Sequence, residues 1–395
     1  MSIGSPTPTI QGVEVSWDRV AGLFPLDPDV AYLNHGAFGV VPIPVQRAQQ
    51  RLRDEMEANP TAFFTRGLYE RLGHTRRHVA AFLGADPDGC ALVPNASAAA
   101  QIVFGTLGLT AGDEVLLTTH GYGSVRLAAG RLGLHVTEAH FPAGAGDDEV
   151  VAAITAAATA GRTRLAIVDH VTSPTAMVLP VARIAAGLRD LGVPLLVDGA
   201  HAPGMLPVDV SAVGADFWVG NVHKWAFAPR PTALLVVARH YRARVQPLVV
   251  SWRQPEGFPE AVEYAGTLDY TAWLAATTGL HFLRTLGVER VRRHNADLAA
   301  YGQRVVGEAL GTAPVPGPWS PDVSMRLVRL PLTGGEEVAA LLRLEIASQL
   351  RCQVPVVAWC DELFVRLGAQ VYNRPEHYDR LATGLPALLE RHRAA

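Results

Sequence analysis

A chain of 395 residues with 49% hydrophobic and 18% charged side chains can bury a large core, most naturally as one big domain and one smaller. Its formal net charge of −3 leaves no electrostatic footprint for nucleic acid or an anionic membrane, so small-molecule partners are expected. Cys90, Cys352 and Cys360 match neither a metal site nor a disulfide framework, which fits a reducing cytoplasm.

In chain order, the opening "MSIGSPTPTIQG" has no basic stretch followed by an apolar one, and the longest apolar runs, such as "ALLVVA", fall far short of a bilayer span. From about residue 80 to 240 come seven short apolar runs: "CALVP", "EVLLTT", "LHVTEAHF", "RLAIVDHV", "VPLLVDGA", "ADFWVGN" and "TALLVVA". Between them, "SAAAQIVFGTLGL", "VVAAITAAATAG" and "VARIAAGLRDLG" carry apolar residues at helical spacing with glycine near their ends. Strands alternating with helices predict a doubly wound, mostly parallel sheet with its site at the carboxyl ends of the strands. A loop, "SWRQPEGFPEAVEYAGTLDY", then precedes a helical run to about 310 and a proline-rich break at 314–321. The tail is βαβ-like: "MRLVRLPL", a helix over about 335–350, "VPVVAW", "LFVRLGAQVY" and a closing helix, together a second α+β domain. No repeat or low-complexity tract interrupts the chain.

One residue stands out against this background. Lys224, in "VGNVHKWAF", is the only lysine beside 33 arginines. A coding bias toward arginine explains the depletion elsewhere, because either cation solvates well at a surface. An ε-amine that must form a Schiff base has no guanidinium substitute.

Two other features fall at predicted strand ends. Asp198 follows the buried run "VPLLV", where a carboxylate needs a cation or donor, although it can also serve as an ordinary helix cap. "VPNASAAAQ" turns from strand to helix at Asn95, leaving backbone N–H groups that attract phosphate, although "NAS" is also a good plain N-cap. In this order, with the sole lysine last, the phosphate, pyridinium and aldehyde of pyridoxal phosphate would each find a partner.

With these residues in view, the chain resembles the fold-type I, class V aminotransferase superfamily, and within it the isopenicillin N epimerase-like group, which includes cysteine S-conjugate C–S lyases. The resemblance rests on "YLNHGAFG", "DHVTSPTAMVLPV", "VDGAHAPGMLPVDVSAVGADFWVGNVHKW", "GTLDYTA" and "VRLGAQVYN", in that order, over roughly residues 30–390. It implies a large cofactor-binding α/β domain over 30–280, with a mostly parallel seven-stranded sheet between helices. Residues 1–29 and 281–395 would form the smaller domain. It also implies Lys224 as the Schiff-base residue and Asp198 at the pyridine nitrogen, with His201 and Ser173 near the ring hydroxyl. Asn95, Ala96 and Ser97 would cradle the phosphate, supported by Asn221 and His223. Thr267 would reach the phosphate of a neighbouring subunit, which implies a homodimer. His120 would stack on the ring with Tyr122 beside it, and Arg366 would grip a substrate α-carboxylate with help from Asn34.

Some positions depart from the family's pattern. Gly368 stands where serine is common, and "PRPT" at 229–232, with Arg230, stands where glycines are favoured. A cysteine desulfurase would need a thiol on a mobile loop, whereas Cys352 and Cys360 flank "VPVVAW" and read as buried structural cysteines. The expected chemistry begins with Lys224 removing Cα–H from a substrate held by Arg366. The subgroup's range favours C–S cleavage of an S-substituted cysteine in specialised metabolism, then epimerisation with Tyr122 or His35 as the acid opposite Lys224. Transamination and decarboxylating deamination are further alternatives. A protein that binds the cofactor without turnover would be expected to have lost the lysine or gained a DNA-binding segment, and neither is visible.

Overall fold

The computed structural model describes residues 9–10, 13–14, 16–313, 315 and 323–394; of the expected break at 314–321 only Val315 is among them, and of the opening twelve residues only Thr9 and Ile10. All seven apolar runs form strands: β1 (Cys90–Val93), β2 (Glu114–Thr118), β3 (His135–Ala139), β4 (Thr163–Asp169), β5 (Leu195–Asp198), β6 (Phe217–Asn221) and β7 (Ala233–Val237). They make one sheet in the order β1-β7-β6-β5-β4-β2-β3. Only β7 runs antiparallel to its neighbours, β1 and β6. The runs read as continuously apolar because both faces are covered. Leu92, Leu116, Ala166, Val197 and Trp218 pack on one side, and Val93, Val115, Ile167, Leu196 and Val219 on the other.

The strand order decides where the chemistry gathers. β1 leads through Asn95 into helix α1 (Ala96–Thr106), and β2 leads through residues 119–122 into α2 (Gly123–Arg131). β4 and β5 end on Asp169 and Asp198, which lie side by side in parallel register. β6 ends on Asn221, three residues before Lys224. Every one of these residues therefore emerges at the same edge of the sheet.

Helix α3 (Val288–Leu310) joins the two domains, with Val291 in the large core and Leu298, Ala299 and Val306 in the small one. Leu283 and Leu286 of the preceding helix also pack in the large core. The small domain contains β8 (Met325–Thr333), α4 (Glu336–Leu350), β9 (Val356–Trp359), β10 (Glu362–Gly368) and α5 (Pro375–Ala394). Its βαβ character is split: β8 and β9 run parallel to each other, with β10 antiparallel between them. At the other end, the short strand Ala31–Tyr32 pairs with Cys352–Gln353, so Ala31 and Leu33 belong to the small-domain core.

The segment after residue 33 is pressed against the Lys224 turn. Gly39 has φ +71°, and a Cβ there would lie 2.1 Å from the His223 carbonyl oxygen and 3.3 Å from the Lys224 Cα. Arg230 donates to the carbonyls of Phe38 (2.9 Å) and Gly39 (2.7 Å) from the other side, which gives the departure in "PRPT" a tethering role. Gly39→Ala combines an unfavourable φ with a backbone overlap, so it should lower unfolding free energy by about 2–4 kcal/mol in urea titrations. A loss under about 0.5 kcal/mol, the scale of a neutral surface change, would show that the two segments separate freely.

Candidate active site

Two helix N-termini converge at the sheet edge. The Asn95 side chain accepts from the Ala98 N–H at 2.9 Å, capping α1. The Ala96 N–H, expected to be free for phosphate, instead donates to Asn221 Oδ1 at 3.0 Å, which ties α1 to the end of β6. Ser97 Oγ lies 3.0 Å from Ser124 Oγ, bringing the first turns of α1 and α2 together. Two helix dipoles and two hydroxyls at one point suit an anion such as a phosphate. Ser124 was not expected from sequence; its only signal is its place at the end of "TTHGYGS", after a predicted strand.

Lys224 sits at the centre. Its Nζ is 3.2 Å from His201 Nε2, and burial brings the amine down to about 8, with Asp198 and Asp169 raising it and Arg366 lowering it. Asp198 is buried and accepts the Ala200 N–H at 2.9 Å. Burial raises its carboxyl above the usual range, partly opposed by that N–H and by Lys224. Asp169, missed in the sequence, is also buried, and its Oδ2 has no hydrogen-bond partner. Burial, then the Asp198 charge, push it well up. The available signal was that "RLAIVD" and "VPLLVD" both end a strand on aspartate. Two buried carboxylates facing one amine lack positive charge, and a pyridinium nitrogen supplies it.

His201 is buried beside Lys224, with burial and the charges of Lys224 and Arg366 holding its imidazole well below the ordinary value. His120, His35 and His223 are occupied elsewhere. His120 stacks on Phe141 with centroids 4.4 Å apart, and its ring nitrogens lie 2.8 Å from Thr175 Oγ1 and 2.9 Å from the Phe141 carbonyl. Trp359 covers it further, at 4.6 Å. No face remains open for a cofactor ring, so the stacking expected of His120 is not what the geometry offers. Tyr122, 45% exposed, lines a small cavity with Asp198 and Asp169 and is the aromatic residue available there.

His35 is likewise withdrawn. Its Nδ1 is 2.9 Å from the Tyr372 hydroxyl, and its Nε2 is 3.0 Å from the Lys224 carbonyl oxygen and 3.3 Å from Gln370 Nε2. Fully buried, with burial pushing it down to about 3, it braces the Lys224 backbone and is not presented as an acid to substrate. His223 is similarly anchored, its Nδ1 2.8 Å from the Thr232 carbonyl oxygen.

Arg366, on β10, is buried and donates to the Ser173 carbonyl, and at 3.3 Å to Ser173 Oγ. Ser173 is thus tied to the arginine, whereas the ring hydroxyl had been its expected neighbour. Burial lowers the guanidinium to about 10, and among the described residues no carboxylate forms an ion pair with it. Asn34 Oδ1 is buried and unpartnered on the adjoining segment, where Leu33 accepts the Gly368 N–H at 2.9 Å. A buried guanidinium without a counter-charge fits an incoming carboxylate, whereas the orphaned Asn34 Oδ1 is an acceptor and calls for a donor. Thr267 is exposed. Cys352 is buried, but Cys360 is exposed in the turn between β9 and β10, contrary to expectation. Burial, with Asp361, Glu362 and Glu138, raises its thiol, which disfavours the thiolate a desulfurase uses.

A family model described as "Aminotransferase class-V" matches residues 31–381. The chain is 32% identical over 392 residues to isopenicillin N epimerase of Streptomyces clavuligerus, covering 94% of this chain and 98% of that one. It is 30% identical over 401 residues to an L-cysteine desulfhydrase of Arabidopsis thaliana, covering 91% and 88%. The structure of the cystine C–S lyase C-DES with its product cysteine persulfide superposes with a TM-score of 0.77 at 21% identity, covering 91% of this chain and 98% of that one. Among the described residues no helix is long and apolar enough to cross a membrane.

An amine that loses its proton near pH 8 captures an aldehyde faster as the pH rises through that value, because only the neutral form is nucleophilic. Capture of pyridoxal phosphate by the cofactor-free protein, fixed with borohydride and read as mass added at Lys224, should therefore speed up between about pH 6.5 and 9. A rate flat across that range, or label on another residue, would exclude the assignment.

Proposed function

Because the chain belongs to the aminotransferase class-V family and works with pyridoxal phosphate, we propose that it cleaves the C–S bond of an S-substituted cysteine by β-elimination, as a homodimer acting in specialised metabolism. Pyridoxal phosphate supplies an electron sink that makes Cα–H of an attached amino acid acidic. The residues do the rest. Ser97, Ser124 and the tips of α1 and α2 would hold the phosphate, with Thr267 of a second copy as a further contact. Asp198 would keep a proton on the ring nitrogen, with Tyr122 as the aromatic residue beside the ring. Arg366, oriented by Ser173 and assisted by Asn34, fixes the α-carboxylate so that Cα–H faces Lys224, whose neutral amine takes the proton. The C–S electron pair then departs with sulfur, which gains a proton as a thiol. Water completes conversion of the remaining carbons to pyruvate and ammonium.

The observation that carries elimination is the one-sidedness of the proton chemistry. Epimerisation needs a second acid opposite Lys224, and His35, one of two candidates, is locked between Tyr372 and the Lys224 carbonyl. Elimination needs only the base already in place. The similarity to isopenicillin N epimerase sustains epimerisation as the second reading, with Tyr122 as its remaining acid.

An S-substituted cysteine should release thiol, pyruvate and ammonium without any keto-acid acceptor. Thiol-free turnover, with unsubstituted amino acids inverted and labelled at Cα in deuterium oxide, would establish the epimerase instead. A separate measurement concerns Asp198: Asp198→Asn should retain cofactor yet slow Cα–H exchange roughly 10²–10³-fold, the scale of one preorganised charge contact. Exchange within about threefold of the parent would remove Asp198 from this role.

A further inference from the structure

His201 has an unusual pair of partners. On one side its Nε2 faces Lys224 Nζ at 3.2 Å, and on the other its Nδ1 receives the indole N–H of Trp225 at 3.3 Å. An indole nitrogen donates and cannot accept. Nδ1 must therefore carry the lone pair, and a neutral ring must carry its hydrogen on Nε2, aimed at Lys224.

Trp225 has little freedom to turn away. It is 1% exposed and lies with its ring centroid 4.9 Å from that of His35. A Cβ on Gly36 would lie 3.1 Å from Trp225 Cζ2 and 3.3 Å from His201 Cε1, so the helix at 35–38 is closed over both rings. Gly204, with φ +86°, allows the opposite approach: a Cβ there would fall 2.5 Å from the Trp225 carbonyl oxygen.

We propose that Trp225 is a positioning residue that fixes the tautomer of His201, so that Nε2–H always points at the Lys224 nitrogen and at the ring oxygen of a cofactor held there. The inference rests on Lys224 being the attachment point. Its consequence is electrostatic. A donor aimed at Nζ is compatible with a neutral amine, which accepts, and opposes an ammonium, which cannot. Without the indole N–H, His201 is free to place its hydrogen on Nδ1 and offer a bare Nε2 to the ammonium, stabilising the charged form. The other groups facing Lys224 are Asp198 on β5, Asp169 on β4 and Arg366 on β10, with His35, His223 and Arg230 packed around its turn, and none of these contacts the indole N–H. Trp225 thus works together with burial to keep the amine reactive.

The test is a double-mutant cycle read through the pH dependence of cofactor capture at Lys224. Trp225→Phe should move the midpoint upward by about half to one pH unit, the size of one altered contact to a charge. His201→Phe has no ring nitrogen and so no hydrogen for Trp225 to place, so adding Trp225→Phe to it should produce no further shift. An equal shift in both backgrounds would mean that Trp225 acts only by packing, and no shift in either would equally overturn the proposal. A parent protein that captures no cofactor at Lys224 would instead sink the attachment reading itself. Should Trp225→Phe fail to fold, the unsubstituted protein still decides the matter. With ¹⁵N-labelled histidine, the imidazole signal absent from His201→Gln should show hydrogen on Nε2 and a bare Nδ1. The reverse assignment ends the proposal.

Discussion

The structure turns on two carboxylates placed side by side in a low-dielectric pocket. β4 and β5 run parallel and in register, so Asp169 and Asp198 end neighbouring strands separated by about 4.8 Å. Neither is easily ionised there alone, since burial and mutual repulsion both favour the protonated form. The site is stable to the extent that positive charge is brought to it. Lys224 provides part of that charge, and in the proposed assignment a ring nitrogen would provide the remainder. The N-terminal helix tips at the other end of the pocket are set up for the opposite sign. The polarity of the cavity, anionic at one end and anion-binding at the other, follows from which strand ends abut which helices.

Charged groups elsewhere in the fold show how different this is from ordinary structural burial. Glu263 is equally deep, yet it accepts from Arg76 at 2.6 Å and from the Leu92 N–H at 2.9 Å. Glu114 accepts from Thr163 at 2.7 Å and pairs with Arg162 at the same distance. In both cases the chain carries its own counter-charge. Among the described residues Asp169 and Arg366 form no ion pair, Asp169 sharing the single amine of Lys224 with Asp198, and a buried charge so poorly balanced points to a ligand that completes it. The contrast separates site from scaffold without reference to any relative.

Much of this was legible in sequence, for identifiable reasons. Continuous apolar runs marked strands covered on both faces, and the doubly wound order followed from their alternation with helices. Lys224 was exposed by its singularity, and Asp198 by an acidic residue closing such a run. The histidines were not legible. Whether His35, His120 or His201 meets a cofactor depends on which atoms its two nitrogens find across the fold: the Tyr372 hydroxyl, the Phe141 carbonyl or the Trp225 indole. Those partners lie up to 337 residues away. Arg366 was chosen by motif alone, because 33 arginines offer no physical basis for selection before one of them is seen buried and unpaired. Cys360 was misread because a strand edge and a tight turn have similar local composition, while only the turn leaves the side chain exposed.

The same burial explains why this pocket needs both of its cations and why they cannot be exchanged. Desolvation acts first on each, taking Lys224 down to about 8 and Arg366 to about 10. The amine thereby reaches a range where its proton leaves readily, and it can be nucleophile and then base. The guanidinium, starting higher, remains charged throughout the physiological range, as the carboxylate-binding role proposed for it requires. An arginine at 224 would keep its proton and do neither job, whereas a lysine at 366, desolvated as Lys224 is, would be partly neutral before any carboxylate arrived. In a chain that uses arginine for every other cation, this difference in proton affinity is the physical reason one lysine persists.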